Sequence, residues 1–425
     1  MSDPSENFFD ISIASNIVRK IVPLSLRRKL WTIRNIPKGY ADQWKSRRLA
    51  KKKLPKLHKL AKRKKSSFIG RSIAIVGAFS APRTGMGRGA ELLARCLEAK
   101  SIKVTRVNVP TNLASVETTA ITIQQCNSVD DISDVIFVIN PPLLTTVIET
   151  FDTDWLLKRR VIAHWVWELN RLGPDWTKPA SYCDEIWAAS EFVADAIRSS
   201  LPPSFPKPKV VPYPVDIDPF PHPNPTERAA VRLRLGITAE MFVIGYSFTV
   251  SSNLPRKNPA GALKAFQLAF GDSKNLRLII RALDISENEI GWSDFRVAVG
   301  GDPRVILIEN SNDLSINDFY GAIDLYVSPS RSEGYGLNLV EAIQSGVPVL
   351  AIGWSLSSDI TRRKNVTPVG FHLVPVQDPQ GNYTDIVGAS WAEPDIVDFA
   401  EKMKIYKSRF DANSGSHRNA TGAKS

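Results

Sequence analysis

The feature that most restricts the fold of this chain is a pattern that occurs twice: short apolar runs alternate with segments of helical periodicity. The first series of apolar runs consists of SIAIVGAF, KVTRVNV, DVIFVIN, RVIAHWVWE and DEIWAAS. The second consists of FVIGYSF, LRLIIRAL, RVILIEN, LYVSPS and VPVLAIG. Short buried strands that alternate with helices predict a parallel sheet covered by helices on both faces. The sequence therefore predicts an α/β protein with two doubly wound, Rossmann-like domains facing each other across a cleft.

The two series are separated by a proline-rich segment, in which ten of residues 202–225 are prolines. Because proline lacks a backbone donor, we expect no regular element there. The predicted organisation is a first domain at residues 72–203, a hinge at 204–225 and a second domain at 226–410, followed by a flexible tail at 411–425. Ligands of doubly wound sheets bind beyond the C-terminal strand ends, so the two binding edges are expected to face each other.

The charge of the chain is concentrated before the first domain. The 425 residues carry a formal net charge of +12, yet residues 19–71 contain 20 of the 55 lysines and arginines and a single acid, Asp42. Residues 1–71 therefore form a basic arm on a mildly acidic protein. Between residues 17 and 65 apolar side chains are interleaved with the cations, a pattern typical of segments that bind an anionic membrane surface.

Two other interpretations of the arm stay open. Nucleic acid is the less favoured partner, because only Trp31, Tyr40 and Trp44 of the arm could stack on bases and no reader motif accompanies them. A solvated arm without a specific partner is the other. The sequence contains no apolar run of eighteen residues and no signal-peptide pattern, and its three cysteines are scattered, which predicts a cytoplasmic protein. With the basic arm, the expected location is the inner face of the cell membrane, bound peripherally.

The stretch SEGYGLNLVE, which follows the strand LYVSPS, predicts a ligand site at a helix N-terminus. Gly334 and Gly336 allow a sharp turn and a close backbone approach to a ligand. The helix is expected to begin near Leu337, where free backbone N–H groups attract phosphate. Glu333 at the turn and Glu341 in the helix are good acceptors for sugar hydroxyls. Together these features indicate a nucleotide-sugar site, and the alternative is a strand–turn–helix corner with two solvated carboxylates.

At this point three stretches carry a resemblance. SEGYGLNLVEAIQSGVPV resembles the signature of retaining, GT-B-fold glycosyltransferases of family 4, also called group 1, in the glycogen-synthase-like superfamily. SFTVSSNLPRKNPAGALKAFQLAF resembles the donor-phosphate strand–loop–helix of the bacterial members. HWVWELNRLGPDW, with DEIWAASEFVADAI and VVPYPVD, resembles their acceptor-domain cleft and hinge. The resemblance covers about residues 72–410.

The resemblance implies a role for each matching position. Glu341 would accept hydrogen bonds from the ribose, and Glu333 would contact hydroxyls of the transferred sugar. Arg256 and Lys257 would neutralise the charge of the diphosphate leaving group. A glycine loop at Gly85 to Gly89 would approach the same diphosphate from the first domain. The candidate catalytic residues are Glu333, Glu168 and His164, and the candidate donor-binding residues are Glu341, Arg256, Lys257, Gly334, Tyr335, Gly336, Leu337, Gly85 and Gly87.

The same positions also have structural interpretations. Arg256 and Lys257 could be a solvated turn before a helix that starts at Pro259. His164 could be a hydrogen-bonded core group. An arginine that the family usually carries five residues before the lysine is Ser252 here, and Arg256 is expected to supply its charge.

The expected function is transfer of a sugar, with retention, from a nucleoside-diphosphate-sugar to a glycan or lipid-linked acceptor in bacterial surface polysaccharide biosynthesis. The resemblance implies no cofactor and no metal ion. The alternatives are a non-catalytic sugar-nucleotide sensor or scaffold at the membrane, and another GT-B enzyme such as an epimerase or a phosphorylase.

Overall fold

The computed structural model describes residues 72–81, 84–109, 131–141, 143–285, 290–356, 358–383 and 386–422. The basic arm, and with it the predicted membrane-binding segment 17–65, lies outside the described residues. Both sheets belong to one compact unit, Lys59–Ser425.

The first half is a six-stranded parallel sheet. Its strands are β1 (Ser72–Gly77), β2 (Lys103–Asn108), β3 (Asp134–Phe137), β4 (Arg160–Trp165), β5 (Glu185–Ala188) and β6 (Lys209–Val210), in the order β2-β1-β3-β4-β5-β6. Its helices are α1 (Gly85–Glu98), α2 (Leu143–Thr150), α3 (Thr153–Leu157), α4 (Thr177–Ala180) and α5 (Glu191–Ser200), and a 3₁₀ turn spans Pro174–Trp176. Every residue of β1, β3 and β4 is buried, as expected for central parallel strands covered on both faces.

The second half repeats this design. Its parallel strands are β7 (Phe242–Thr249), β8 (Leu276–Leu283), β9 (Val305–Ile308), β10 (Leu325–Ser328), β11 (Val349–Ile352) and β12 (Val366–Val369), in the order β12-β11-β10-β7-β8-β9. Counted from β7, this is the 3-2-1-4-5-6 order of dinucleotide-binding sheets, and the order reverses between β7 and β10. The prediction of two Rossmann-like α/β domains is confirmed.

The helices of the second half cover both faces of its sheet, and a hairpin is added. The helices are α6 (Pro225–Arg234), α7 (Leu254–Lys257), α8 (Pro259–Phe270), α9 (Trp292–Gly300), α10 (Ile316–Ala322), α11 (Leu337–Gln344), α12 (Ser358–Thr361) and α13 (Ile396–Gly422). 3₁₀ turns span Val215–Ile217 and Val250–Ser252, and the antiparallel hairpin consists of β13 (Phe371–Pro375) and β14 (Ser390–Pro394). Among the described helices, none combines the length and the apolar character needed to cross a membrane.

Three local predictions are wrong. The segment 204–225 contains β6, which pairs with β5 only; an edge strand tolerates neighbouring prolines because one side of it forms no ladder. The glycine segment 85–89 is the first turn of α1 and not a loop, because the Thr84 hydroxyl accepts a hydrogen bond from the Gly87 N–H. Residues 411–422, expected in a flexible tail, continue α13, since extending an existing helix is far easier than nucleating one.

Candidate active site

The first part of the site is α7, a single helical turn that follows β7 and the 3₁₀ turn at Val250–Ser252. Two asparagines at positive φ bound it, Asn253 at 81° and Asn258 at 49°. Asparagine tolerates this region because its amide bonds to the nearby backbone. Asn253 Oδ1 accepts from the Arg256 N–H at 2.9 Å, and Asn258 Oδ1 accepts from the Gly261 N–H at 3.2 Å. These caps fix Arg256 at the point where the strand order of the second sheet reverses.

The second part is the loop after β10, which packs against the first half. A Cβ on Gly334 would lie 2.5 Å from Val166 Cγ1 and 3.1 Å from the Trp167 nitrogen, so only glycine fits. Gly336 has a φ of 93°, a conformation that favours glycine, and α11 begins directly after it at Leu337. The close turn and the helix start expected from the sequence are therefore both present.

Lys257 and Glu333 form a buried ion pair across the reversal point of the sheet. Lys257 Nζ lies 2.6 Å from Glu333 Oε1, and the two side chains are 10% and 16% exposed. Burial would raise the pKa of Glu333, but the charges of Lys257 and Arg256 outweigh it and hold that pKa below its ordinary value. The Glu333 N–H also donates to Ser355 Oγ at 2.7 Å. The pair thus offers one fixed cation and one fixed carboxylate at the N-terminal end of α11.

Arg256 lies between two carboxylates that come from different halves. Its Nη1 is 3.6 Å from Glu333 Oε2, and its Nη2 is 3.5 Å from Glu168 Oε1. The same nitrogens donate to the carbonyls of Ser332 at 2.8 Å and Ser252 at 2.7 Å. The side chain is 5% exposed. Its terminal N–H groups therefore all face protein oxygens.

Glu168 follows β4 and is bound by residues of the second half. Its Oε1 accepts a hydrogen bond from the Tyr383 hydroxyl at 3.2 Å. Its backbone carbonyl accepts from the Ser332 hydroxyl. Glu168 is therefore brought together with Arg256 and Glu333, as candidates for one site should be.

Glu341 lies four residues after the start of α11. Its carboxylate accepts a hydrogen bond from the Tyr320 hydroxyl at 3.1 Å. Burial raises the pKa of Glu341 to about 7, and the Tyr320 hydrogen bond and the charges of Arg88 and Arg281 oppose that rise. Arg88 belongs to α1, so Glu341 faces the first half as well.

His164 is a buried core residue of β4. Its Nε2 lies 2.8 Å from the Val211 carbonyl, its ring stacks on Tyr213 with centroids 5.0 Å apart, and it is 1% exposed. Burial lowers its pKa to about 4. The imidazole is therefore neutral near pH 7, with its proton on Nε2.

Gly85 and Gly87 lie at the N-terminus of α1. A Cβ on Gly87 would lie 2.2 Å from the Ala81 carbonyl oxygen, whereas nothing lies within 4 Å of a Cβ on Gly85. Gly87 is thus required for packing, and contact of either glycine with a diphosphate stays a prediction.

Sequence reasoning missed several residues of this region. They are Arg88, Asn253, Asn258, Tyr320, Ser332 and Tyr383. The asparagines were detectable, because two of them flank a single turn that carries two cations. The others come from remote segments and meet only in the folded chain.

Residues 245–378 match the protein family described as "Glycosyl transferases group 1". This range contains α7, the Gly334 loop and α11. The central part of the second half is thus similar to a group 1 glycosyltransferase domain. Lys257, Glu333 and Glu341 lie inside the matched range, whereas Glu168 lies outside it, as do His164 and Tyr383.

Individual proteins with similar sequences cover shorter parts of the chain. The lipopolysaccharide core biosynthesis mannosyltransferase LpsB of Rhizobium meliloti (strain 1021) is 47% identical over 58 residues, which are 13% of this chain and 16% of that protein. The capsular polysaccharide biosynthesis glycosyltransferase CapM of Staphylococcus aureus is 29% identical over 109 residues, 26% of this chain and 27% of that protein. The chain thus spans about a sixth to a quarter of these relatives' length.

The whole fold has a counterpart among solved structures. The crystal structure of a glycosyltransferase from Rickettsia africae ESF-5 superposes with a TM-score of 0.54 at 13% identity, over 80% of this chain and 89% of that one. The likeness extends over both halves and supports the GT-B arrangement of the two sheets.

Proposed function

We propose that this protein is a retaining glycosyltransferase that moves a sugar from a nucleoside-diphosphate-sugar to a glycan or lipid-linked acceptor. The observation that carries the proposal is the Lys257–Glu333 ion pair at the start of α11, placed at the reversal point of the second sheet and inside the matched range. A fixed cation beside a helix N-terminus suits a diphosphate, and a fixed carboxylate suits sugar hydroxyls.

In this proposal each group has one task. Lys257 and the free N–H groups of α11 stabilise the charge that develops on the leaving diphosphate. Glu333 accepts hydrogen bonds from the transferred sugar, and Glu341 accepts them from the ribose. Arg256 and His164 are given no direct contact with the donor, since both terminal nitrogens of the first bind protein oxygens and the second is a neutral core group.

The reaction needs no protein nucleophile and, in this proposal, no divalent metal ion. The bond between the anomeric carbon and the phosphate oxygen breaks while the acceptor oxygen bonds to the same face of that carbon. The acceptor's proton passes to the departing phosphate oxygen. The protein contributes orientation and fixed charge, which together lower the barrier without a covalent intermediate.

The acceptor class and the location are also proposals. LpsB and CapM are named for lipopolysaccharide core and capsular polysaccharide biosynthesis, which favours a bacterial surface polysaccharide. The basic arm, with its interleaved apolar residues, favours peripheral binding of a cytoplasmic protein to an anionic inner membrane surface.

A non-catalytic sugar-nucleotide sensor is the second candidate. The surroundings of Arg256 favour it, because the terminal nitrogens of the cation expected to replace the one missing at Ser252 make four contacts with protein oxygens. A sensor would bind a donor without releasing nucleotide.

The test is a panel of UDP-, GDP-, ADP- and TDP-sugars, followed by thermal shift and by release of free nucleotide. We expect one donor to stabilise the wild type and to be turned over slowly without added phosphate. Glu341→Ala and Lys257→Ala should weaken both effects. Lys402→Ala, which removes an ion pair with Asp398 outside the site, is the matched control and should not. Binding without turnover, even with bacterial polysaccharide acceptors, would favour the sensor. Absence of binding to every donor would refute both functions.

A further inference from the structure

Five residues form a closed ring of polar contacts that passes from the donor loop to the first half and back. Arg256 donates its backbone N–H to Asn253, and Asn253 Nδ2 donates to Asp378 Oδ1 at 2.7 Å. The Tyr383 N–H donates to Asp378 Oδ2 at 2.8 Å, and its hydroxyl donates to Glu168. The Arg256 guanidinium, 3.5 Å from the same Glu168 oxygen, closes the ring.

We propose that Arg256 and Tyr383 are positioning residues that hold the Glu168 carboxylate in line with Glu333 for the transfer reaction. The inference rests on the proposed function, because it assigns a task to groups of the same site. Glu168 is the member of the ring that contacts the reacting sugars, and the other four members orient it.

The Arg256 guanidinium is suited to this task because contacts with two backbone carbonyls, independent of the carboxylates, fix its plane. The carbonyls of Ser252 and Ser332 each accept from one of its terminal nitrogens. A planar fork fixed at two points directs its remaining N–H groups along set directions. The second N–H of Nη2 faces Glu168 and that of Nη1 faces Glu333, so a single cation sets the relative position of the two carboxylates.

The Tyr383 side chain, in the segment between β13 and β14, is also fixed by its contacts. Its ring makes edge contacts with Trp167, at 5.7 Å between centroids, and with Trp391, at 6.5 Å. Only 8% of the residue is exposed. Trp167 directly precedes Glu168, so the same tyrosine packs on the loop and binds its carboxylate.

The orientation of Glu168 is thus set by the second half, although Glu168 belongs to the first. The carboxylate reaches its place only while the loop after β4 lies against Ser332 and Tyr383. Catalytic groups must be held within a fraction of an ångström, and small displacements cost large factors in rate. The ring therefore links contact between the halves to the alignment of the reacting groups.

The test compares Tyr383→Phe with Tyr406→Phe. Both variants lose one buried or half-buried hydroxyl that contacts side chains: Glu168 and Arg256 in the first case, and Thr367 of the edge strand β12 in the other. We expect Tyr383→Phe to lower kcat by roughly ten- to a hundredfold while the Kd for the donor stays within about twofold. Tyr406→Phe should change neither quantity. Arg256→Lys, which keeps the charge and loses the fork, should also lower kcat, and it should raise the Kd for the donor as well, because Arg256 faces Glu333 too.

A second readout does not need turnover. Amide hydrogen exchange of residues 166–170 should be faster in Tyr383→Phe than in the wild type and in Tyr406→Phe. Unchanged exchange there, or a kcat of Tyr383→Phe equal to that of Tyr406→Phe, would overturn the inference. So would a parallel loss of kcat and donor affinity in Tyr383→Phe, which would indicate a general structural role. If no donor binds the wild type, the proposed function fails, whereas the exchange experiment still decides whether the ring holds Glu168.

Discussion

Glu341 is a site residue whose protonation state changes near neutral pH. Its pKa is raised to about 7 by burial, so the carboxylate is mostly protonated at pH 6 and mostly ionised at pH 8. An ionised carboxylate is the stronger acceptor for ribose hydroxyls. We expect the Kd for a nucleoside diphosphate to decrease several-fold between pH 6 and pH 8, as measured by calorimetry.

The matched comparison for this prediction is Glu341→Gln, which keeps the shape and cannot ionise. The phosphates of the ligand titrate in the same range, so the relevant quantity is the difference between the two proteins. The variant should bind more weakly at pH 8 and show a smaller pH dependence. Equal slopes in both proteins would contradict the role of Glu341.

At the residue scale, the sequence predicted those site residues whose neighbours in the chain explain them. Gly334, Gly336 and Glu333 belong to one turn, and its geometry follows from glycine positions and a strand end. Arg256 was assigned to a diphosphate because its charge was visible, but its carbonyl partners were not. Tyr383 carried no signal at all, since it is 215 residues from Glu168 along the chain.

At the element scale, α1 depends on a glycine that the sequence assigned to a loop. A Cβ on Gly89 would lie 2.1 Å from Cζ of Tyr213, a ring packed on His164. We expect Gly89→Ala to lower the free energy of unfolding by about 1–3 kcal/mol, because the Tyr213 ring must move. Urea denaturation measures this change.

Gly85→Ala is the control for that experiment. It lies in the same helix, and a Cβ there meets nothing within 4 Å. Its effect should be within about 0.5 kcal/mol of zero, or stabilising, since alanine favours a helix over glycine. Equal destabilisation by the two alanines would point to the helix start itself and not to the Tyr213 contact.

The burial of His164 in strand β4 leads to a separate prediction, which concerns the stability of the protein at acidic pH. The pKa of His164 is lowered by burial to about 4, so the unfolded chain takes up a proton near pH 6.5 and the folded chain does not. Stability therefore falls as pH falls from about 6.5 to 4. Between pH 7 and pH 4.5 the His164 contribution is on the order of 2 kcal/mol.

His164→Gln isolates this contribution. Glutamine can still donate an N–H to the Val211 carbonyl but takes up no proton. Urea denaturation at the two pH values should show a smaller acid loss in the variant than in the wild type. An identical loss in both proteins would mean that His164 is protonated in the folded state.

The elements themselves were predictable where burial is complete. Runs such as β1 and β3 are apolar throughout because both faces of a central parallel strand are covered. The strands β6 and β12 and the hairpin of β13 and β14 were missed, since β6 and β13 are largely exposed and short segments of mixed composition give no clear pattern. The edge strands β2 and β9 were predicted, because their apolar runs are longer.

At the scale of the whole molecule, the separation of charge predicts a testable surface behaviour. The arm of residues 19–71 carries a net charge of +19, and the rest of the chain carries −7. We expect the full chain to sediment with anionic liposomes, and raising the salt concentration to weaken this binding. Deleting residues 1–67 should abolish it. Retained binding by the truncated chain would refute the membrane role of the arm.

The contact between the two halves has a consequence for evolution. Three of its hydrogen bonds run from a hydroxyl to a backbone carbonyl: Ser332 to Glu168, Ser190 to Gly334, and Tyr335 to Tyr213. Every amino acid supplies a carbonyl, so substitutions at Glu168 or Tyr213 that keep the backbone in place leave these bonds intact, whereas position 334 requires glycine. Much of the accepting sequence can therefore diverge while the two halves stay fitted to each other. We expect recombination between distant relatives, joined within the proline-rich segment, to yield chimeric proteins that still fold.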